Sequence, residues 1–119
     1  MPEETVRFDV RDAGDGIRII DITGDLTSQS EAVLIDAYDR ASEHDTKLIV
    51  INFTGLDYMN SGGIGLLVTI LVRAQRQGQR MLAYGLSEHY RQIFELTRLD
   101  EAVGIHESEE QVLAAAKAG

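Results

Sequence analysis

The stretch from Leu48 to Phe53 reads LIVINF and is almost entirely apolar, with many β-branched side chains. Its apolar and polar residues do not alternate, which is typical of a strand covered on both faces in the middle of a sheet. After residues 54–60 the pattern takes the period of an amphipathic helix, with apolar residues at Ile64, Leu67, Val68 and Leu71. The sequence therefore predicts a buried central strand joined by a short loop to a helix.

Strand and helix patterns also alternate on either side of this unit. Apolar residues flanking a turn-prone segment predict a hairpin of strands at 6–10 and 17–22. A helix is predicted from Ser28 to Glu43, because Ser28 and Glu31 have the spacing of a capping box. The remaining predicted elements are a strand at 80–84, a helix capped by Ser87, a strand at 102–106 and a closing helix that begins near Ser108.

Alternation of this kind defines the fold class. Helices that lie between strands act as crossover connections and make the strands parallel, whereas the first hairpin is antiparallel. We therefore predict a single α/β domain over residues 1–119, built on a mixed sheet of about five strands with about four helices.

Composition limits the classes of function. The 119 residues carry a formal net charge of −9 and contain no cysteine, which excludes thiol catalysis and thiolate metal sites and fits a reducing compartment. No signal-peptide core is recognisable and no apolar run approaches the roughly 20 residues that span a bilayer, so we predict a cytoplasmic protein without membrane insertion. The charge disfavours direct nucleic-acid binding and favours a partner protein with a basic surface. Solubility alone explains the charge equally well.

Two segments that follow predicted strands form the candidate site. Thr54 to Ser61 joins the central strand to the second helix, and Gly24–Thr27 is a turn after the second strand. Sites in α/β proteins gather at the carboxyl ends of strands. Ser61 lies at or beside a helix N-cap and is followed by glycines at 62, 63 and 65. Because each glycine in a helix costs roughly 1 kcal/mol relative to alanine, these three indicate a close approach of the backbone to a partner or a phosphate.

Ser61 has the surroundings of a phosphorylation site. A phosphate there would add about −1.5 to −2 charges, and the free amides and positive end of the helix could hold it. The helix would survive while its surface charge changed, and burying the dianion would oppose binding of a tightly packed partner. The alternative is that Ser61 only caps the helix and that the glycines only allow tight packing, since serine is a favoured N-cap.

The same segment does not match a catalytic motif. A serine nucleophile elbow needs a glycine two residues before the serine, where this chain has Met59. Gly63 and Gly65 lack the third glycine of a dinucleotide site, because Val68 stands there, and no Gly-Lys-Ser/Thr phosphate loop occurs. We therefore predict no catalytic residues, no metal site and no cofactor.

Residues Tyr58–Gly65, YMNSGGIG, resemble the phosphorylation loop of the STAS-domain anti-anti-sigma factors. Gly24–Thr27, GDLT, resembles the turn before that family's first helix, and LIVINF resembles its central strand. The order of elements matches through Ala116, so the resemblance covers essentially the whole chain. It implies the STAS fold for the predicted mixed sheet and its helices.

The resemblance also implies a regulatory function, that of an anti-sigma factor antagonist. Such proteins bind an anti-sigma factor when a serine at the place of Ser61 is unphosphorylated, and so free the sigma factor for transcription. The anti-sigma factor is itself an ATP-dependent serine kinase whose action on that serine blocks binding, and a serine phosphatase restores it. By this resemblance the residues expected to bind the partner are Asp25, Thr27, Asp57, Met59, Asn60, Gly62 and Gly63.

Two positions depart from the family's usual pattern. Asn60 stands where an aspartate commonly precedes the serine, and Gly62 stands where alanine or a small hydroxylated residue is frequent. Asn60 keeps a hydrogen-bonding side chain but removes one negative charge near Asp57. These positions leave a second interpretation open, a STAS-like accessory subunit of a transporter or a signalling scaffold in which Ser61 stays unmodified.

Overall fold

A computed structural model describes residues 6–118 of the chain. The strands are β1 (Val6–Gly14), β2 (Ile17–Leu26), β3 (Leu48–Met59), β4 (Arg80–Tyr84) and β5 (Gly104–His106). The helices are α1 (Glu31–Ala41), α2 (Ser61–Arg76), α3 (Glu88–Leu96) and α4 (Glu109–Ala118), and short 3-10 turns lie at Ser28–Ser30 and Leu99–Glu101.

The strands form one five-stranded sheet in chain order, from β1 to β5. β1 pairs with β2 antiparallel, and each later neighbour pairs parallel. The prediction of a mixed sheet of about five strands with about four helices is confirmed: α1, α2 and α3 each return the chain to the same end of the sheet, and α4 follows the last strand.

The sheet is covered unequally on its two faces. The larger core lies between the sheet and helices α1, α2 and α3, and it contains Ile49 and Ile51 of β3. The smaller core lies beneath α4, where Leu48 and Val50 of β3 share a cluster with Val112. Successive β3 residues thus enter different cores, which confirms the prediction of a central strand covered on both faces.

The predicted start of the first helix was wrong by a few residues. The capping box uses Thr27 and Ser30 rather than Ser28 and Glu31: the Thr27 hydroxyl accepts from the Gln29 N–H at 3.2 Å, and the Ser30 hydroxyl accepts from the Thr27 N–H at 3.1 Å. Because β2 extends to Leu26, Thr27 is the residue at which the extended chain turns. A 3-10 turn then precedes α1.

The prediction of a loop at residues 54–60 was also wrong. β3 continues to Met59 and stays paired with β2, with Asp25 opposite Tyr58 and Leu26 opposite Met59. Gly55 permits this long pairing, because a Cβ atom there would lie 2.8 Å from the carbonyl oxygen of Ile22. The polar composition of the segment reflects an extended strand end that is partly exposed.

A polar network holds the first turn of α4 against the sheet. Arg11 of β1 donates to Asp21 at 2.6 Å and to Glu109 at 2.9 Å, and the Tyr84 hydroxyl donates to Glu109 at 2.8 Å. Asn52 of β3 donates to Asp21 at 2.7 Å. Burial alone would raise the pKa of Asp21, but hydrogen bonds from Arg11 and Asn52 hold that pKa below its ordinary value. Hydrogen bonds from Arg11 and then Tyr84 likewise lower the pKa of Glu109.

Tyr84 gives this network a measurable signature. Burial, and then its hydrogen bond to Glu109, raises the pKa of Tyr84 to about 12. An unfolded tyrosine titrates near about 10, so the stabilisation from Tyr84 is complete below about pH 10 and is lost as pH rises towards about 12. In an alkaline titration of phenolate absorbance, Tyr84→Phe is expected to remove a late step that the wild type shows. An unchanged titration curve for the upper pH range would contradict the network.

Candidate functional site

The extended pairing of β2 and β3 brings the two predicted site segments together. Leu26 and Met59 are register partners at the strand ends, and the Asn60 N–H donates to the Leu26 carbonyl at 3.3 Å. The chain then enters α2 at Ser61. The segments 24–27 and 57–61 therefore form one continuous surface at the carboxyl edge of β2 and β3.

Asn60, and not Ser61, is the N-cap of α2. Its backbone is extended, with φ −102° and ψ −176°, and its side-chain oxygen accepts from the Gly63 N–H at 3.0 Å. The alternative in which Ser61 caps the helix is therefore wrong. Ser61 is the first helical residue and is exposed, at the positive end of α2, where the first amides have no acceptor within the helix.

The cap can be tested by substitution at Asn60. Asn60→Ala is expected to lower the free energy of unfolding by about 1 kcal/mol, because the Gly63 N–H loses its acceptor. Asn60→Asp keeps an acceptor of the same shape and is expected to retain or increase stability. Urea denaturation of the three proteins measures this difference, and equal stabilities for the alanine and aspartate variants would contradict the cap.

The glycines that follow Ser61 have different roles. A Cβ atom at Gly62 would lie 2.9 Å from both the Cβ and the backbone nitrogen of Ser28, and one at Gly63 would lie 2.2 Å from the carbonyl oxygen of Leu26. These two glycines thus allow α2 to pack on its own chain, which corrects the inference that all three serve an external group. Gly65 differs, because a Cβ atom there would meet nothing within 4 Å.

Two of the predicted contact residues lie beneath the surface. Met59 is 4% exposed and Gly63 is buried, so neither residue is accessible to a partner. The Met59 N–H donates to the Tyr90 hydroxyl at 2.8 Å, and this bond ties α3 to the chain just before Ser61. Tyr90 is a supporting residue that sequence reasoning missed, since the contact spans 31 positions.

The other predicted residues reach the surface to different degrees. Asp57 is exposed, whereas Asp25, Thr27, Asn60 and Gly62 are intermediate. Thr27 and Asn60 also use their side chains as caps of their own helical segments. Asp57 and, in part, Asp25 therefore carry accessible negative charge on the two strand ends that lead to Ser61.

An exposed face of α2 continues this surface. Ser61, Gly65, Val68 and Val72 recur at helical spacing and are all exposed, with Val68 and Val72 each 38% exposed. Val68 belongs to the apolar helical pattern of the sequence but is exposed, and the buried apolar residues of α2 include Leu66, Leu67, Ile70 and Leu71. Tyr58, 50% exposed, adds an aromatic side chain just before Ser61. We use the name Ser61 surface for Asp25, Asp57, Tyr58, Ser61, Gly65, Val68 and Val72.

Residues 6–118 were also searched for metal sites and for membrane-spanning helices. No group of three or more His, Cys, Asp or Glu side chains in that range has the arrangement of a metal site. None of the helices described there is both long and apolar enough to cross a membrane.

Comparison of the sequence with known proteins identifies a matching family and a relative. The family model described as STAS domain matches residues 11–112. An anti-sigma-B factor antagonist of Staphylococcus aureus is 24% identical over 91 residues, which cover 76% of this chain and 84% of that protein.

Two solved structures share the fold at low sequence identity. The phosphorylated form of the Bacillus cell fate determinant SpoIIAA has a TM-score of 0.67 and 20% identity, covering 92% of this chain and 99% of that one. A sulfate transporter family protein from Wolinella succinogenes has a TM-score of 0.77 and 19% identity, covering 91% and 90%. Both regulators and transporter-family proteins thus carry this fold.

Proposed function

The chain belongs to the STAS-domain family, and on this premise we propose that it is a cytoplasmic anti-sigma factor antagonist switched by phosphorylation of Ser61. The observation that carries the proposal is the exposed Ser61 hydroxyl at the start of α2, in a helix that Asn60 caps independently. The named antagonist from Staphylococcus aureus supports the same class of function. The chain acts by binding and catalyses no reaction of its own.

The unphosphorylated chain binds its anti-sigma factor through the Ser61 surface. Val68 and Val72 are exposed apolar residues on the outer side of α2, and Tyr58 is exposed at the end of β3. Asp25 and Asp57 carry negative charge on the strand ends that lead to Ser61. The complementary partner surface is apolar at its centre and basic where it meets Ser61, in agreement with a chain whose net charge is −9.

Gly65 favours a close contact at the centre of this surface. It lies one helical turn after Ser61, and nothing within the described chain occupies the space beside it. An exposed glycine inside a helix lowers helix stability, so packing within the chain gives no reason for it. A partner backbone that packs against α2 at this point supplies that reason.

Phosphorylation turns this binding off by adding charge where the partner packs. The partner is the serine kinase, and it transfers the γ-phosphoryl group of ATP to the Ser61 oxygen, with ADP as the leaving group and loss of the hydroxyl proton. The free amides of the first turn of α2 hold the phosphate, and the Asn60 cap keeps the helix intact. The dianion is added at the start of α2, where the partner packs, and burying it costs more than the contact returns. A serine phosphatase hydrolyses the ester and restores binding.

A second candidate function is supported by a different observation. The sulfate transporter family protein from Wolinella succinogenes has the same fold, and Asn60 and Gly62 depart from the pattern of the phosphorylated antagonists. In this alternative the Ser61 surface binds a transporter or a scaffold, and Ser61 stays unmodified.

Isolation of the partner separates the two functions. The chain is tagged, expressed at native level in its own cells as wild type, Ser61→Ala and Ser61→Asp, and its bound proteins are identified. We expect an anti-sigma serine kinase with the wild type and Ser61→Ala, and its loss with Ser61→Asp. Transporter subunits bound equally to all three variants would contradict the antagonist function and support the alternative.

A further inference from the structure

A groove lies at the end of the sheet away from Ser61. It has a volume of about 330 Å³ and is lined by Asp15, Ile17, Lys47, Leu48, Arg80, Ala116 and Lys117. Ile17, Leu48 and Arg80 are register partners near the amino ends of β2, β3 and β4. β3 runs for twelve residues from this end to the residue before Asn60, so its first and last residues lie roughly 36 Å apart at about 3.3 Å per residue.

The groove gathers positive charge in a strongly acidic protein. Acidic residues outnumber basic ones by 20 to 11, and the salt bridges among residues 6–118 engage Arg7, Arg11, Arg18, Arg40, Arg91 and Arg98. Lys47, Arg80 and Lys117 take part in none of these bridges, and all three line the groove. The lining thus holds three cations and one carboxylate, Asp15, and this excess of positive charge favours a bound anion.

The lining combines this charge with an apolar wall. Ile17 and Leu48 belong to the cluster beneath α4, and Ala116 packs against it. Recognition of small molecules commonly joins an apolar wall to a few charged groups that fix orientation. Arg80 offers a planar fork that matches a phosphate, and the lysines act as mobile point charges. Asp15, the acidic residue of the lining, disfavours further negative charge on the rest of the ligand.

We propose that this groove is a binding site for a small soluble organic phosphate, with the phosphate on Lys47, Arg80 and Lys117 and an apolar body against Ile17, Leu48 and Ala116. A soluble ligand fits better than a lipid headgroup, because a chain of net charge −9 is repelled by anionic bilayers. The site does not depend on Ser61 or on the proposed antagonist function.

Phenyl phosphate is a suitable probe, with inorganic phosphate and phenol as its two halves. Titration of each into the labelled full chain is followed by amide NMR shifts. We expect phenyl phosphate to shift the amides of Gly16, Lys47, Leu48 and Arg80 saturably, and to bind more tightly than either half. The absence of saturable shifts at these amides, or equal binding of inorganic phosphate, would overturn the proposal.

Matched double variants separate the groove from general electrostatics. Lys47→Gln with Arg80→Gln is expected to weaken phenyl phosphate binding by about tenfold or more. The control pair Arg73→Gln with Arg76→Gln makes the same change in charge on exposed α2 positions outside the groove lining and is expected to leave affinity nearly unchanged. Equal weakening by both pairs would overturn the site.

Two further measurements keep the test decisive. Lys117→Gln, at an exposed position near the end of α4, is expected to weaken binding several-fold even if the double variant fails to fold. Sedimentation with vesicles of phosphatidylglycerol is expected to show no binding. Sedimentation of the wild type that is lost in the Lys47 and Arg80 variant would assign the groove to lipid headgroups and overturn the soluble ligand.

Discussion

Gly63→Ala is expected to lower the free energy of unfolding by about 3 kcal/mol, the upper part of the usual range for overpacking a buried site. The added Cβ atom would lie 2.2 Å from the carbonyl oxygen of Leu26, which is backbone and cannot rotate away. The start of α2 must then move off the end of β2, and the hydrogen bond from Asn60 to Leu26 is disturbed. Chemical denaturation measures the change.

Gly65→Ala is the matched control, because it makes the same chemical change two residues further along the same helix. A Cβ atom at Gly65 meets nothing within 4 Å, so this variant is expected to gain up to about 1 kcal/mol from the better helix propensity of alanine. Similar stabilities for the two variants would contradict the packing of α2 against β2. The Gly65 variant also tests the Ser61 surface, since its added methyl group is expected to weaken partner binding while stability rises.

Phosphorylated Ser61 is expected to reduce affinity for the anti-sigma factor by about 100-fold, which corresponds to about 2.7 kcal/mol. Calorimetric or surface-based binding with the purified partner measures it, using protein phosphorylated by that partner. Ser61→Ala is expected to bind like the unphosphorylated wild type, because the hydroxyl neither caps α2 nor supports its packing.

A control variant distinguishes the effect of where a negative charge is added from the effect of a change in net charge. Ser61→Asp and Gln77→Glu each add one negative charge at an exposed position, at opposite ends of α2. We expect the first to weaken binding about tenfold or more and the second to leave affinity within about twofold, since surface charges more than about 10 Å apart are largely screened at physiological salt. Equal weakening by both would mean that charge acts through general repulsion rather than at the Ser61 surface.

Much of the fold could be predicted from local patterns. The LIVINF run, the hairpin and the alternation of periods were sufficient for a mixed sheet with helices, because those signals arise from burial on one or two faces. The first helix start was missed because Ser28 with Glu31 and Thr27 with Ser30 both suit a cap, and the end of β2 decides between them. Residues 54–59 were predicted as a loop, although they continue the strand, because their extended conformation depends on pairing with β2, which the local sequence does not reveal.

Parts of the candidate site were likewise not predictable from local sequence patterns. Ser61 was identified from its position before a helix, but the cap at Asn60 depends on backbone geometry that no residue pattern contains. Val68 fits the apolar helical pattern of the sequence, yet it is 38% exposed, because the pattern alone does not decide which side of α2 meets the sheet. The Tyr90 support and the bond from Arg11 to Glu109 join residues 31 and 98 positions apart, so only the folded chain brings them together.

The most direct test of the switch is the mass of the chain itself, purified from its native cells under several growth and stress conditions, with the Ser61 peptide mapped before and after phosphatase treatment. We predict a population that carries one phosphate on Ser61, that varies with conditions and that phosphatase removes. Ser61 found unmodified under every condition would contradict the proposed switch and favour the transporter or scaffold alternative.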